Sequence, residues 1–317
     1  MTLAAFGTSG SGLVGATTLH ASGASLSGLA ASSFFWRRIK ASIVPRPGAA
    51  PRVPYDPMAL ARVPSVSWIG HATLYVRLDE LSFLTDPVYS ERASPVGFAG
   101  PKRLVPPGVP LAALPALDLV LLSHDHYDHT DLQTLRIIAA RDIPFVVPTG
   151  VGELVRRVGG RVIELGWWES SSVGGVRLHC VPAQHFSGRG LMDRNRRLWA
   201  GWVVEGADRR FYFAGDTGYF PGFAAIAGRL GPIDLAAIPI GAYLPVEMMA
   251  RIHLNPEEAV QAASDLGAKQ VVGMHWGTFD LADEPLDEPP RRFLAAAASQ
   301  GLADRAFVMK VGETRGF

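Results

Sequence analysis

The chain has 317 residues, 48% of them apolar, and carries 30 basic side chains against 29 acidic ones. That length and apolar share suffice for a sizeable core. The near-cancellation of charge excludes the broad basic field of a nucleic-acid-binding protein. A single cysteine, Cys180, excludes both an intrachain disulfide framework and a thiolate-rich zinc site, so a bound metal must be held by histidine and carboxylate.

Residues 1–35 are rich in Ala, Gly and Ser, and the first arginine is Arg37. A secretory signal carries its positive charge before the apolar stretch, not after it. The segment therefore reads as a disordered tail. A competing reading joins Phe34, Phe35, Trp36, Arg37, Arg38 and Lys40 into an interfacial anchor, because aromatic and basic side chains together suit lipid headgroups. Pro45, Pro47, Pro51, Pro54 and Pro57 give a stiff linker. Residues 1–59 are thus expected to precede a folded domain spanning 60–317. Polar breaks interrupt every apolar run before it is long enough to cross a bilayer, and a cytoplasmic location is expected, with peripheral membrane contact left open.

From Ser65 the pattern changes. SVSWI, TLYVRL and LSFLTD predict three short strands with tight connections. A Pro/Gly-rich loop from Pro87 to Pro110 is long for a compact domain and is therefore a functional candidate. LDLVLLSH is the continuous apolar run of a buried strand, and residues 131–141 predict a helix capped by Thr130 or Asp131. FVVP, a short helix near 151–158 and RVIEL continue a strand–helix–strand rhythm. VRLHCVPAQH, WAGWVVEG and RRFYFAGD predict strands. A helix near 221–230, the strand IDLAAIPI, a helix from Pro256 to Leu266, the strand QVVGMHW, a helix over PPRRFLAAAASQ and the strand RAFVMKV complete the chain. Cys180, in the alternating VRLHCVP, reads as a buried inert thiol. Two blocks of strands, each flanked by helices, imply an α+β domain of two sheets packed face to face with helices outside.

The strongest chemical signal is Ser123-His124-Asp125-His126-Tyr127-Asp128-His129, between a buried strand and a helix cap. A turn there can fan His124, His126, Asp128 and His129 toward one point, and imidazole with carboxylate suits zinc and similar first-row ions. Three more strands each deliver one such side chain: His185 after VRLHCVPAQ, Asp216 in Gly215-Asp216-Thr217-Gly218, and His275 after QVVGM.

This order, HDHYDH, then a lone His, then GDTG, then a late His, resembles that of metallo-β-lactamase-fold hydrolases. The closer resemblance is to the N-acyl-phosphatidylethanolamine-hydrolysing phospholipase D family and its bacterial relatives. It is carried by SWIGHATLYVRLDELSFLTDPVYSERASPVGFAGPKR, LLSHDHYDH, VIELGWWE, LMDRNRRLWAGW, FYFAGDTGYFPGF, GPIDLAAIPIGAY, HLNPEEAV and MHWGTF, across about residues 60–295. The resemblance implies one four-layer αββα domain with two zinc ions, other divalent first-row ions being the alternative. It places His124, His126 and His185 on one ion, Asp128, His129 and His275 on the other, and Asp216 across both. It further implies a hydroxide shared by two ions about 3.5–4 Å apart, with Asp128, Asp216 and His253 as catalytic candidates. His253 would donate to a substrate oxygen, or else pack the N-terminus of the following helix.

Other residues carry paired readings. Asp86 is a cap, or it accepts the second N–H of a ligand histidine and fixes its tautomer. His71 is a structural histidine or the floor of the site. Tyr219 and Tyr243 line the pocket or pack beside it. Trp167 and Trp168 read as packing residues. Lys102, Arg103, Arg189, Arg194, Arg196 and Arg197 form a solvated face or, bordering the site, favour an anionic substrate. His20 and His179 receive no role. The expected substrate is a lipid or small-molecule phosphodiester, with no nucleic-acid partner. The competing functions are a lactonase or carboxyl-ester hydrolase of the same fold and a non-catalytic lipid or metabolite binder. Oligomeric state is not readable from the sequence.

Overall fold

A computed structural model describes residues 33–34, 36–44, 46–190 and 192–317. The expectation of disorder over residues 1–35 falls outside the described residues apart from Ser33 and Phe34, which are helical. The chain divides into Met1–Arg37 and Arg38–Phe317. Within the first unit, Arg37 donates to Ser33 Oγ at 3.0 Å, one helical turn away. The second unit contains the two sheets.

A short helix α1 (Pro57–Leu60) precedes β1 (Ser65–Gly70), β2 (Thr73–Leu78) and β3 (Leu81–Thr85), which form an antiparallel meander. Then β4 (Leu119–Leu121), β5 (Phe145–Pro148) and β6 (Val162–Leu165) add in parallel, joined by the crossover helices α2 (Leu132–Ala139) and α3 (Gly152–Arg156). The second sheet repeats the plan. β7 (Ser170–Val173), β8 (Val176–Val181), β9 (Gly201–Glu205) and β10 (Arg210–Phe213) are antiparallel. After α4 (Gly222–Leu230), β11 (Leu235–Pro239) adds in parallel. The short α5 (Val246–Met249) and then α6 (Pro256–Asp265) lead to β12 (Gln270–Met274), and α7 (Glu288–Ser299) leads to β13 (Ala306–Val308), both strands parallel. A terminal β14 (Thr314–Gly316) returns to pair with β1. The strand orders are β14-β1-β2-β3-β4-β5-β6 and β13-β12-β11-β10-β9-β8-β7.

Side-chain alternation divides the core. Leu119 and Leu121 of β4 enter the inter-sheet cluster with Phe83, Leu178, Trp202 and Phe213. Val120 and Leu122 face the other way, with Leu135 and Ile138 of α2 and Val155 of α3. Both faces of β4 are therefore covered, which is why its sequence is continuously apolar and not alternating. Trp202, fully buried, ties the sheets by donating from Nε1 to Leu122 O at 2.9 Å. Asp131 caps α2 by accepting from Gln133 N. Asn255 and Glu258 form a capping box at the start of α6, with Pro256 in its first turn. Cys180 is buried, and burial pushes its thiol up, as expected of an inert side chain. Trp167 donates to Trp199 O, and Arg229 lies over the Trp168 ring, so both tryptophans pack.

The structure departs from expectation at three places. SSSV and TRG form the strands β7 and β14 despite lacking an apolar face; each pairs at a sheet edge. The compact unit starts before residue 60. Ala50 N donates to Gly277 O and Val53 N to Val311 O, while Val311 N donates back to Pro51 O, so the segment expected as a stiff linker is pinned by backbone pairing. Arg38, which the anchor reading turns toward lipid, instead pairs with Asp280 and Asp283 at 2.6 Å each.

Candidate metal centre

The donor side chains stand at the C-terminal ends of strands from both sheets, where open α/β sheets commonly place ligands. Asp86 follows β3, His124 follows β4, Asp216 follows β10 and His275 follows β12. The hairpin between β1 and β2 supplies His71. Several of these turns are strained: His71, Asp86 and His275 hold φ of 56°, 34° and 61°, a left-handed backbone that costs about 1–3 kcal/mol each for residues with a Cβ. Gly215 (φ 60°) must be glycine, because a Cβ there would sit 2.5 Å from Ser123 Cβ.

A buried relay fixes the imidazole tautomers. Asp86, fully buried, accepts from His129 Nδ1 at 2.6 Å and from Ser123 Oγ at 2.5 Å and Ser123 N at 2.7 Å. Since Ser123 Oγ spends its proton on Asp86, it accepts from His124 Nδ1 at 2.9 Å. His185 Nδ1 donates to Ile252 O at 2.8 Å. His124, His129 and His185 therefore each present a bare Nε2.

Those lone pairs converge in two groups. In the first, His126 Nδ1 lies 2.8 Å from His124 Nε2 and 3.3 Å from His185 Nε2. In the second, His129 Nε2 and His275 Nε2 are 3.2 Å apart, and each is 3.5 Å from Asp128 Oδ2. Asp216 joins the groups. Its Oδ2 is 3.2 Å from His129 Nε2, 3.8 Å from His185 Nε2 and 4.0 Å from His124 Nε2, while Oδ1 is 3.1 Å from His275 Nε2. Tetrahedral donors at about 2.0–2.1 Å from a zinc-sized ion stand about 3.3 Å apart, so both groups have the spacing of a ligand set. Bare nitrogens that close repel one another unless a cation lies between them. The donor chemistry therefore fits a metal, and both histidine-rich groups satisfy the distance requirement for a shared ion.

The electrostatics of the metal-free cluster agree. Burial pulls His124 and His185 well below the ordinary imidazole value, toward the neutral form a metal requires. Burial pulls down on His275 too, but Asp216 and Asp128 overcome it and raise the group to about 9. His129 is likewise raised against burial by Asp216, Asp128 and Asp86.

His71 and His253 flank this centre. His71 Nε2 is 3.0 Å from Asp128 Oδ2, and its ring packs against His275 with centroids 3.9 Å apart. His253 Nδ1 lies 3.9 Å from Asp216 Oδ2 and has no hydrogen-bond partner; burial lowers this imidazole to about 4.

Other expected residues lie elsewhere. Tyr219 gives its hydroxyl to Asp265 and Tyr243 to Glu288, each at 2.6 Å, because a carboxylate on a neighbouring helix satisfies it. Arg103 donates from Nε and Nη2 to the carbonyls of Ser90 and Val88 and lies over Phe279, so it braces the loop. Arg189 donates to Asp125 O and Thr130 O and stacks on Tyr127 at 3.8 Å, holding the donor-bearing loop. Arg197 does the same through Asp125 at 2.9 Å. Arg194 is exposed and sits over Phe186, whose ring packs on His126 and His185. Lys102 and Arg196 are exposed. Sequence reasoning missed Ser123 and Asp125, the two residues inside the histidine motif that hold it without being donors themselves.

Residues 82–276 match the model of the Beta-lactamase superfamily domain. The chain belongs to that superfamily. Within it, an uncharacterized protein of Mycobacterium tuberculosis is 49% identical over 240 residues, 74% of this chain and 64% of its own. The matched region thus spans about two thirds of that relative. N-acyl-phosphatidylethanolamine-hydrolyzing phospholipase D 1 of Caenorhabditis elegans is 44% identical over 257 residues, 76% of this chain and 72% of its own. Among solved structures, Igni18, a metallo hydrolase from Ignicoccus hospitalis, superposes with a TM-score of 0.61 at 24% identity, covering 80% of this chain and 97% of that one. At that identity the likeness is one of fold, the αββα sandwich of the superfamily.

Proposed function

We propose that this protein is a metal-dependent phosphodiester hydrolase of the phospholipase D type, acting on N-acyl-phosphatidylethanolamine or a related lipid phosphodiester. The observation that carries the hydrolytic reading is Asp216, whose two oxygens stand between two groups of bare imidazole nitrogens. In this reading His124, His126 and His185 hold one divalent ion, Asp128, His129 and His275 hold a second, and Asp216 touches both. Zinc is the first expectation. Such ions supply a water acidified toward neutral pH and polarise the ester oxygen.

The chain's own residues do the rest. Asp86 and Ser123 fix the tautomers of His129 and His124. Asp128 and Asp216 are placed to take the proton that water loses. Water's oxygen adds to phosphorus, the bond from phosphorus to the ethanolamine oxygen breaks, and the departing oxygen takes up the proton that water lost, giving N-acylethanolamine and phosphatidate. The unpartnered Nδ1 of His253 is placed to donate to an oxygen on which charge grows. The substrate class is supported by the 44% identity to the nematode phospholipase D. It is also in keeping with Phe98 and Met192, each 84% exposed, apolar side chains suited to contact with acyl chains at a membrane face. No helix among the described residues is long and apolar enough to cross a membrane.

The test is product identification by mass spectrometry after zinc-loaded protein is incubated with N-acyl-phosphatidylethanolamine in mixed micelles. Release of N-acylethanolamine with phosphatidate supports the proposal. Opening of lactones with every phosphodiester untouched would make it a carboxyl-ester hydrolase. Lipid binding without turnover of either class would make it a binding protein.

A further inference from the structure

The loop after β12 carries His275 at its start and then turns away from the centre, and what holds it there comes from the far N-terminal side of the unit. Thr278 Oγ1 accepts from His71 N at 2.8 Å, and Phe279 meets the His71 ring edge-on at 5.2 Å. Asp280 points outward into two arginines. Arg46 grips it with Nε at 2.8 Å and Nη2 at 2.5 Å and donates from Nη1 to Asp283 O at 3.0 Å. Arg38 adds Asp280 Oδ1 at 2.6 Å and Asp283 Oδ1 at 2.6 Å. A little further along, Ala50 N pairs with Gly277 O at 2.8 Å, and the contact is so close that a Cβ on Gly277 would sit 2.7 Å from Ala50 N. Asp280 is 4% exposed, so these charges are matched in a mostly desolvated setting where a bidentate arginine pair orients strongly.

We infer that residues 38–44 and 46–53 are a positioning strap for one donor group: Arg46 and Arg38, through Asp280, set the loop that orients His275 and His71. This rests on the two-group metal reading above. Through that loop the strap acts first on the group of Asp128, His129 and His275; Asp216 Oδ1, 3.1 Å from His275 Nε2, is the link onward to the other group. The group of His124, His126 and His185 is held by Ser123 and Ile252 instead. The loop's other flank is tied by Glu284, which accepts from Ala242 N and Leu244 N at 2.6 Å and 3.1 Å. Loosening the strap therefore frees the His275 side of the loop first.

The experiment measures metal stoichiometry and chelator competition on the full-length chain reconstituted with zinc, for the wild type, Arg46→Ala and Arg46→Lys. Cobalt absorption spectra and urea unfolding of the metal-free proteins accompany it. Losing a partner bonded directly to a metal ligand weakens binding about 10–100-fold, and Arg46 acts one step further out, through Asp280. Arg46→Ala should therefore release one equivalent at up to about 10-fold lower chelator while the other shifts less. Arg46→Lys, which keeps the charge but not the fork, should fall between. A merely structural role would shift urea unfolding and leave the two equivalents equal. If Arg46→Ala does not fold, Arg46→Lys and Asp280→Asn read the same split. Equivalents that weaken together, or not at all, overturn the strap. A wild type that takes up one ion or none overturns the two-group reading, and the strap with it.

Discussion

Replacing Asp86 by asparagine tests whether the relay beneath the donors sets their chemistry. Asp86 accepts three hydrogen bonds, from Ser123 N, Ser123 Oγ and His129 Nδ1, and is fully buried. An amide of the same shape has one acceptor oxygen and two N–H donors. If that oxygen takes the place of Oδ2, the amide nitrogen faces Ser123 N–H. If it takes the place of Oδ1, the nitrogen faces both Ser123 Oγ and His129 Nδ1. The first arrangement leaves one buried donor opposed, at about 1–3 kcal/mol. The second drives the proton of His129 to Nε2 and removes the lone pair that faces Asp216 and His275.

Asp86→Asn should accordingly weaken the metal equivalent involving His129 about 10–100-fold, or about 1.4–2.7 kcal/mol. His124 stands one hydroxyl further along the relay and should weaken less. Chelator competition reads the first effect, and urea unfolding of the metal-free protein reads the stability cost. If the titration superimposes on that of the wild type, the tautomers of His129 and His124 are not set through Asp86, and the relay argument fails.

Asp216→Asn should disturb both metal equivalents, and His185→Ala mainly one, by elemental analysis of the reconstituted variants; an Asp216→Asn protein that loses only one equivalent would break the assignment of Asp216 to both groups. His253→Ala should leave metal content intact and lower kcat about 10²–10³-fold with kcat/KM falling in parallel; full turnover would make His253 a packing residue. Asp280 gives a pH test. Burial pushes its carboxyl up, but Arg46 and Arg38 more than offset this and hold it below its ordinary value of 3.8. A depressed carboxylate stabilises the fold above the unfolded pKa and loses that contribution as pH falls through the folded one. The stability gap between wild type and Asp280→Asn should be flat from about pH 7 to about pH 5 and close below 3.8; a gap that widens in acid would reverse the sign.

Much of this was legible because the sequence announces strands by their apolar runs and then interrupts each with a polar ending. LDLVLL could be read as buried on both faces, and the donors that follow β4, β8, β10 and β12 each stand where an apolar run stops. Helix α6 was legible from Pro256, whose missing N–H suits a first turn. What could not be read depends on partners distant in sequence. The hydroxyls of Tyr219 and Tyr243 look like pocket groups until Asp265 and Glu288 come within 2.6 Å of them. Arg103 looks like an anion ligand until its fork meets the carbonyls of Val88 and Ser90. The proline-studded segment before residue 60 looks like a linker, because nothing local says that Val311 and Gly277 will offer it backbone partners.

Ser123 and Asp125 show why the histidine motif needs its other letters. A turn carrying His124, His126, Asp128 and His129 brings repulsive lone pairs and carboxylates together in a buried place, and something must hold it while the centre is empty of cations. Asp125 turns away from the donors and takes Gly188 N at 2.7 Å and Arg197 Nη1 at 2.9 Å, which anchors the motif to the loop after β8. Ser123 reaches back to Asp86 beneath β3, which anchors it to the first sheet, while Ala200 N donates to Ser123 O at 2.9 Å from beside β9 in the second. The motif is thus pinned to both sheets at the seam where they meet. The repulsion among its donors is thus held by the surrounding hydrogen bonds, and the donors do not have to be gathered by the metal. A site preorganised in this way should bind its ions with little change in backbone order, so amide exchange at residues 123–129 should be nearly as slow in the metal-free protein as in the loaded one. Rapid exchange confined to that turn in the metal-free state would mean instead that the metal builds the site.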